Sequence, residues 1–279
     1  MTTSPARHSG RGIWVVKIGG RLCEDADLRG RLAAACAAAE HPLVLVHGGG
    51  DAVTRLQQKL GFAPRFVEGR RVTTDEEMEA VEMVLSGSMN KMLTRDLIAA
   101  GVVAAGLSGC DAGLIRCVII EGLGRVGEPA RVDPAVLHLL LQSGRTPVVS
   151  PVSMGPDGRA VNVNADEAAA ALAVALGAER LLLLSDVDGV MVSESWRDAI
   201  AAEDVESLVA AGEVTRGMIP KLRSAARSVA QGVQEVRIAG FEGGRLEDVT
   251  GTRVLGSVGV GAAEGAGDRA RHVPGGAHV

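Results

Sequence analysis

The chain has 279 residues, 47% of them hydrophobic, enough for one large α/β domain or two lobes around a substantial core. Its formal net charge of −5, with only 2% aromatic residues and no tyrosine, argues against nucleic acid as a partner. No run of about eighteen apolar residues would span a membrane, and Cys23, Cys36, Cys110 and Cys117 form no C-x-x-C pair, as expected of reduced thiols in a cytoplasmic protein.

Residues 1–12 read as a flexible polar arm without the apolar segment of a signal peptide. An apolar strand over residues 13–18 follows, holding Lys17 and ending at Gly19-Gly20. A lysine in such a run is costly to bury unless something anionic meets it. A helix rich in alanine and leucine is predicted over 28–39. Next, Leu43-Val44-Leu45-Val46 runs into His47-Gly48-Gly49-Gly50, and Val53, Leu56 and Leu60 mark one face of the helix behind. Glycines let a ligand approach the backbone, and a helix start offers unpaired N–H groups to an anion. Two such turns and one strand lysine read as a phosphate cradle. Neither turn has the G-x-x-x-x-G-K-[ST] or G-x-G-x-x-G pattern, so a Walker loop and a dinucleotide turn are not expected. His47 is read as structural.

Arg70 and Arg71, beside Gly69, suit a bidentate grip on a carboxylate or a solvated pair on a loop. Thr74-x-x-Glu77 is a capping box opening a helix whose buried face carries Met78, Val81 and Leu85. A further helix over 89–99 stops at Gly101. Strands are expected over 102–107, 114–121 and 147–152, with a helix over 134–141 and a turn at 155–158. Asn162 and Asn164 alternate along a strand, and Asp166 opens an alanine-rich helix to Gly177; spacing alone reads these residues first as helix caps. Residues 181–184 form a continuous apolar run, as in a buried parallel strand. A turn over 185–190, a helix over 205–211 and a loop over 212–220 follow. Lys221 opens a helix to Gly232, residues 233–238 are the last clear strand, and the Gly/Ala-rich stretch 256–279 reads as a disordered tail. Alternating strands and helices predict an α/β fold with a mainly parallel sheet between helices, in two lobes over 13–180 and 181–255.

Six patterns then occur in one order: Lys17-x-Gly19-Gly20, His47-Gly48-Gly49-Gly50, Gly69-x-Arg71-Val72-Thr73, Asn162-Val163-Asn164-Ala165-Asp166, Ser185-Asp186-Val187-x-Gly189-Val190 and Gly217-Met218-Ile219-Pro220-Lys221. Glu82-Met83-Val84-Leu85-x-Gly87-x-x-Asn90-Lys91 adds to them. Over residues 13–255 the chain resembles the amino acid kinase family, and within it the branch that acts on N-acetyl-L-glutamate. The resemblance implies an open sheet sandwiched by helices, an N-terminal lobe that takes the acyl amino acid and dimerises, and a C-terminal lobe that takes ATP. It implies transfer of the γ-phosphoryl group to the side-chain carboxylate of N-acetyl-L-glutamate, a step of arginine biosynthesis, with Mg²⁺ held mainly by ATP and no metal ligands from the protein.

By the same resemblance, Lys17 and Lys221 flank the moving phosphoryl group and Asp166 holds them. Gly19, Gly20, Gly49 and Gly50 cradle phosphoryl oxygens. Arg71, Asn162 and Asn164 grip the amino-acid substrate, with Gly49 and Gly50 beside it. Asp186, Gly189, Thr215 and Gly217 match the nucleotide site. Ser88 and Cys110 stand where many relatives carry lysine, and Arg216 where glycine is frequent. A homodimer without strong arginine feedback is expected, because only a dozen polar residues precede the first strand. Two other readings stay open: a sister kinase acting on carrier-protein-linked aminoadipate or glutamate, and a non-catalytic ligand sensor on the same fold.

Overall fold

A computed structural model of the chain describes residues 10–67, 69–215 and 217–256. Glu68, Arg216, most of the expected arm and the expected tail from 257 onward lie outside the described residues. In chain order, β1 (Trp14–Ile18) leads into α1 (Gly20–Glu24) and α2 (Ala26–Ala38), and β2 (Leu43–His47) into α3 (Gly50–Lys59). A hairpin of β3 (Arg65–Val67) and β4 (Arg70–Val72) precedes α4 (Asp75–Glu82), a π-helical turn over Met83–Met89, and α5 (Asn90–Ala99). Then come β5 (Ala104–Ser108), β6 (Ile115–Ile119), β7 (Val126–Val132), α6 (Ala135–Gln142), β8 (Thr146–Ser150), β9 (Val152–Met154), β10 (Ala160–Val163) and α7 (Ala165–Ala175). The last third holds β11 (Arg180–Ser185), β12 (Val190–Val192), β13 (Ser195–Arg197), β14 (Ala199–Ala201), α8 (Val205–Ala210), α9 (Ile219–Ala230), β15 (Glu235–Gly240) and β16 (Thr252–Leu255).

Eight strands form one sheet in the order β14-β16-β15-β11-β1-β2-β8-β5. Neighbours from β15 through β5 are parallel; β16 runs antiparallel to β15, and β14 follows β16. The central strands β1, β2 and β11 are apolar on both faces because helices cover both. Alternate residues of β1 face different cores. Trp14, Val16 and Ile18 pack with Leu28 and Leu32 of α2 and Leu93 and Leu97 of α5. Val15 packs with Leu172 of α7 and Leu222 of α9. Lys17 shares the parity of Val15, so the strand aims it at the α7 and α9 layer.

A second, small closed barrel, β10-β7-β6-β9, sits beside the main sheet. It is tied to the β3–β4 hairpin where Arg125 N–H donates to the Thr73 carbonyl (2.6 Å) and Thr73 N–H to the Leu123 carbonyl (3.1 Å). Gly124 makes this approach possible: at φ +72°, a Cβ there would lie 2.3 Å from the Thr73 oxygen.

Several expectations change. Residues 233–238 are not the last strand, since β16 follows, and residues 190–201, beyond the expected turn, hold three short strands. Segments of three or four residues carry too few alternations to show a period. Arg70 and Arg71, read as a carboxylate grip or a solvated pair on a loop, lie on the second strand of a hairpin. The helices expected to be separate at 74 and 89 form one rod, joined by the π turn. The helix before β2 is preceded by α1 and starts anew at Ala26, where the Asp25 carboxylate accepts from the amides of Asp27 and Leu28 (2.9 and 3.0 Å). Lys221 does not open its helix: α9 begins at Ile219, with Pro220 in the first turn. The main sheet crosses the expected lobe division at Arg180, where β11 pairs in register with β1. Among the described residues no helix is long and apolar enough to cross a membrane.

The capping box at Thr74 is present. Its hydroxyl accepts from Glu77 N–H (3.2 Å), and the Glu77 carboxylate accepts from Thr74 N–H (2.8 Å). Thr74→Ala is expected to cost about 1 kcal/mol, seen as a lower urea midpoint at unchanged slope.

Candidate active site

Three charged side chains distant in sequence meet at the ends of β1, α7 and α9. Lys17 Nζ lies 2.9 Å from Asp166 Oδ1 as an ion pair, and Lys221 Nζ donates to Asp166 Oδ2 at 2.9 Å. All three side chains are largely buried, at 9%, 13% and 14% exposure for Lys17, Asp166 and Lys221. The cluster therefore has one net positive charge out of water. Burial opposes the charge on Asp166, but both lysines outweigh it and hold its pKa down to about 2. Burial also opposes the charge on Lys17; Asp166 outweighs it and keeps the ammonium above its ordinary pKa. At Lys221 burial prevails, aided by repulsion from Lys17, and the pKa falls below the ordinary lysine value.

Local structure explains why Asp166 is available for this role. It is the second residue of α7, and the cap is Asn164, whose Oδ1 accepts from the amides of Asp166 (2.8 Å) and Glu167 (3.4 Å). The side chain of Asp166 is thus not spent on its own helix start. Lys221 stands in the first turn of α9, where the helix dipole disfavours a cation. Asp166 compensates for it, and Ser224 Oγ donates to the Asp166 carbonyl (3.3 Å), fastening α9 to α7.

Glycines wall the neighbouring space. At Gly49, φ is +149° and a Cβ would meet Leu85 Cδ2 at 2.9 Å; at Gly19 it would meet the Leu184 carbonyl at 2.9 Å. A cavity of about 190 Å³ is lined by Gly48, Gly49 and Gly50, with Phe66, Arg71, Leu85, Asn162 and Asn164 around it. A larger groove of about 900 Å³ runs along α7 and α9 and shares Gly69, Arg70 and Asn164 with the first. Asp166 sits between residues of the two walls, since Ala165 lines the smaller space and Glu167 the larger.

Arg71 is buried at the smaller cavity. It donates to Gln57 Oε1 (2.7 Å), the Gly50 carbonyl (2.8 Å) and Thr54 Oγ1 (2.7 Å), and its guanidinium lies 4.6 Å from the centre of the Phe66 ring. These acceptors are neutral. Burial pulls its pKa below the ordinary value, against the attraction of Glu77 and Asp51. Asn162 Nδ2 donates to Thr73 Oγ1 (3.1 Å), which itself donates to the Arg71 carbonyl (2.8 Å).

The adjacent arginines do not act together. Strand alternation sends Arg71 inward to neutral partners and Arg70 to Glu167 on α7, 2.5 Å away. Of the expected nucleotide residues, Gly217 lines the larger groove, while Gly19, Gly20, Asp186, Gly189 and Thr215 line neither cavity. Ser185 Oγ donates to Asp186 Oδ1 (3.0 Å), and Gly189 packs so closely on β16 that a Cβ would meet Thr252 Oγ1 at 2.8 Å. Thr215 accepts at its carbonyl from Met218 N–H (2.9 Å). Ser88 Oγ donates to the Val84 carbonyl (3.2 Å) within the π turn, and Cys110 is half-buried, its thiol pushed up to about 11, mainly by burial. Gln57, Thr54 and Ser224 escape a reading of the sequence because neutral side chains at helical spacing look like ordinary helix faces, and Leu85 reads there only as part of a buried face. Among the described residues no group of three or more His, Cys, Asp or Glu side chains is placed to hold a metal ion.

A buried cationic cluster beside a wall of glycine backbone suits the charge of a phosphoryl group. Residues 12–240 match the model of the amino acid kinase family. The chain is 45% identical over 245 residues to an acetylglutamate kinase of Roseiflexus sp. strain RS-1, covering 86% of this chain and 94% of that one. It is 46% identical over 217 residues to an acetylglutamate kinase of Rubrobacter xylanophilus, covering 78% and 84%. The solved structure of smu.665 from Streptococcus mutans superposes with a TM-score of 0.76 at 30% identity, covering 87% of this chain and 98% of that one. The chain belongs to the amino acid kinase family.

Removal of the shared carboxylate should expose the energetics of the cluster. Asp166→Asn is expected to cost about 3 kcal/mol at pH 7 by leaving two buried ammonium groups unpaired. A depressed carboxylate pKa stabilises the fold above the unfolded value near 4 and ceases to do so as pH falls through the folded value of about 2. The deficit should therefore hold down to about pH 4 and shrink toward pH 2, as read by urea unfolding of both proteins.

Proposed function

We propose that the chain transfers the γ-phosphoryl group of ATP to the side-chain carboxylate of N-acetyl-L-glutamate, giving an acyl phosphate for arginine biosynthesis. The observation that carries this reading is the single carboxylate of Asp166 shared by Lys17 and Lys221. Its support from similarity is the set of acetylglutamate kinases at 45% and 46% identity.

The chemistry matches the residue types. A glutamyl side chain has an ordinary pKa near 4.3, so the nucleophile is ionised at neutral pH and requires no general base. The obstacle is repulsion between that carboxylate and a polyanionic phosphate. Catalysis is then positioning and charge stabilisation. Lys17 and Lys221 meet the charge on the transferring group and the leaving β-phosphate, and Asp166 keeps the two ammonium groups from separating. The backbone N–H groups of Gly19, Gly20, Gly49 and Gly50 donate to phosphoryl oxygens. Arg71 has only neutral acceptors here, and takes the α-carboxylate of the acceptor in the smaller cavity, where Asn162 and Asn164 meet its amide. Asp186, Gly189, Thr215 and Gly217 border the nucleotide. Mg²⁺ would be brought by ATP rather than by a protein site, and would offset part of the phosphate charge that Lys17 and Lys221 meet. A homodimer is the expected assembly, measured by light scattering.

Hydroxamate trapping of the acyl phosphate with ATP tests the reaction. Product is expected with N-acetyl-L-glutamate and not with free glutamate or N-acetylaminoadipate; product only with another acid would overturn the assignment. Lys221→Ala should lower kcat by about a hundredfold while ATP still binds. Unchanged turnover would remove Lys221 from the reaction. Arg71→Lys should raise KM for the acyl amino acid by about tenfold, because an ammonium cannot keep the bonds to Gln57, Gly50 and Thr54 and still direct an N–H at a carboxylate.

A further inference from the structure

His47 ends β2 immediately before the three glycines and is completely buried. Its Nδ1 lies 2.9 Å from the carbonyl of the next residue, Gly48. A carbonyl only accepts, so Nδ1 carries the proton. Its Nε2 lies 3.1 Å from Asn90 Nδ2, whose two hydrogens are shared between the ring and the carbonyls of Leu107 (3.1 Å) and Val148 (2.9 Å). With Asn90 donating, Nε2 is the unprotonated acceptor, and the ring is neutral. Asn90 is itself fully buried, and its Oδ1 accepts from Lys91 Nζ at 3.0 Å. Burial drives the imidazole pKa down to about 4, with Lys91 adding to the effect and the Gly48 bond opposing it.

A trans peptide points its C=O and N–H in opposite directions. With the Gly48 carbonyl held on the ring, the Gly49 N–H faces the opposite way, and both glycines line the smaller cavity. Gly49 also sits at φ +149°, a backbone conformation that residues with a side chain rarely adopt. Gly48 N–H belongs to the preceding peptide and donates to the Ile18 carbonyl (3.0 Å), while the carbonyl of the Gly48–Gly49 peptide meets the His47 ring.

We propose that His47 is a positioning residue for phosphoryl transfer: through the Gly48 carbonyl it holds the Gly49 N–H aimed at the transferring group, and Asn90 holds the ring. This rests on the reading of the site as a phosphoryl-transfer centre. It assigns the buried histidine a part in rate without any proton transfer. The link runs from the start of α5, through Asn90 and His47, to the glycine turn.

Two amide substitutions separate positioning from packing. His47→Asn keeps an N–H at the place of Nδ1, whereas His47→Gln carries its amide on toward the place of Nε2. The Asn variant is expected to keep kcat within about threefold and the Gln variant to lose about a hundredfold, with KM for ATP and acceptor little changed in both. Equal loss in the two variants, equal retention, or an Asn variant that does not fold would overturn the proposal. Long-range ¹⁵N–¹H NMR of the wild-type protein gives a test independent of variants. A neutral ring protonated on Nδ1 is expected between about pH 5 and 8, and an Nε2–H tautomer or a titration in that range would overturn it. A wild-type protein that phosphorylates no acyl amino acid would defeat the functional reading instead, and the tautomer would still decide whether the ring holds the peptide.

Discussion

One carboxylate shared between two ammonium groups organises this molecule. Two lysines packed within reach of a common oxygen pair repel each other, and neither would stay charged in a buried setting by itself. Asp166 reverses that balance and leaves a surplus of one positive charge in a place poor in water. Such a charge is worth far more to an incoming anion than the same lysine at the surface, because little solvent screens it. The arrangement also explains a local misfit, a lysine in the first turn of α9, which the helix dipole alone would disfavour.

The fold is the means of bringing these groups together. Strand alternation in β1 places Lys17 on the α7 and α9 side of the sheet, and capping of α7 by Asn164 frees the next carboxylate to point at it. The small barrel and the hairpin supply the opposite wall, with Thr73 as the joint that contacts Asn162, Leu123 and Arg125. The Arg70–Glu167 pair fastens that wall to the helix that carries Asp166, so the smaller cavity and the charged cluster share one support.

Much of this was legible in the amino-acid sequence, for definite reasons. The central strands are continuous apolar runs, and Lys17 stands out within one of them because a buried charge demands a partner. The Thr74–Glu77 box marks a helix start by hydrogen-bond chemistry that needs no tertiary context. The partner of Lys17 could not be read by spacing, since an aspartate at a helix start is ordinarily a cap; family resemblance points to Asp166, and the fold shows how, with Asn164 capping and Asp166 turned toward two distant lysines. The three-residue strands, the π turn and the separate fates of Arg70 and Arg71 depend on pairing partners far along the chain, and no local pattern encodes them.

The π turn over Met83–Met89 has a consequence for how the chain can change length. A wide turn of this kind accommodates an additional residue without twisting the rod on either side. Elsewhere in α4 or α5, losing one residue would rotate everything beyond it by about 100° and swing Asn90 away from the sheet. Within the wide turn the same loss would tighten the coil to ordinary pitch and leave Asn90 in place, while moving Leu85 at the cavity wall. A gain or loss of one residue here would thus reshape the smaller cavity and spare the cluster of Lys17, Asp166 and Lys221.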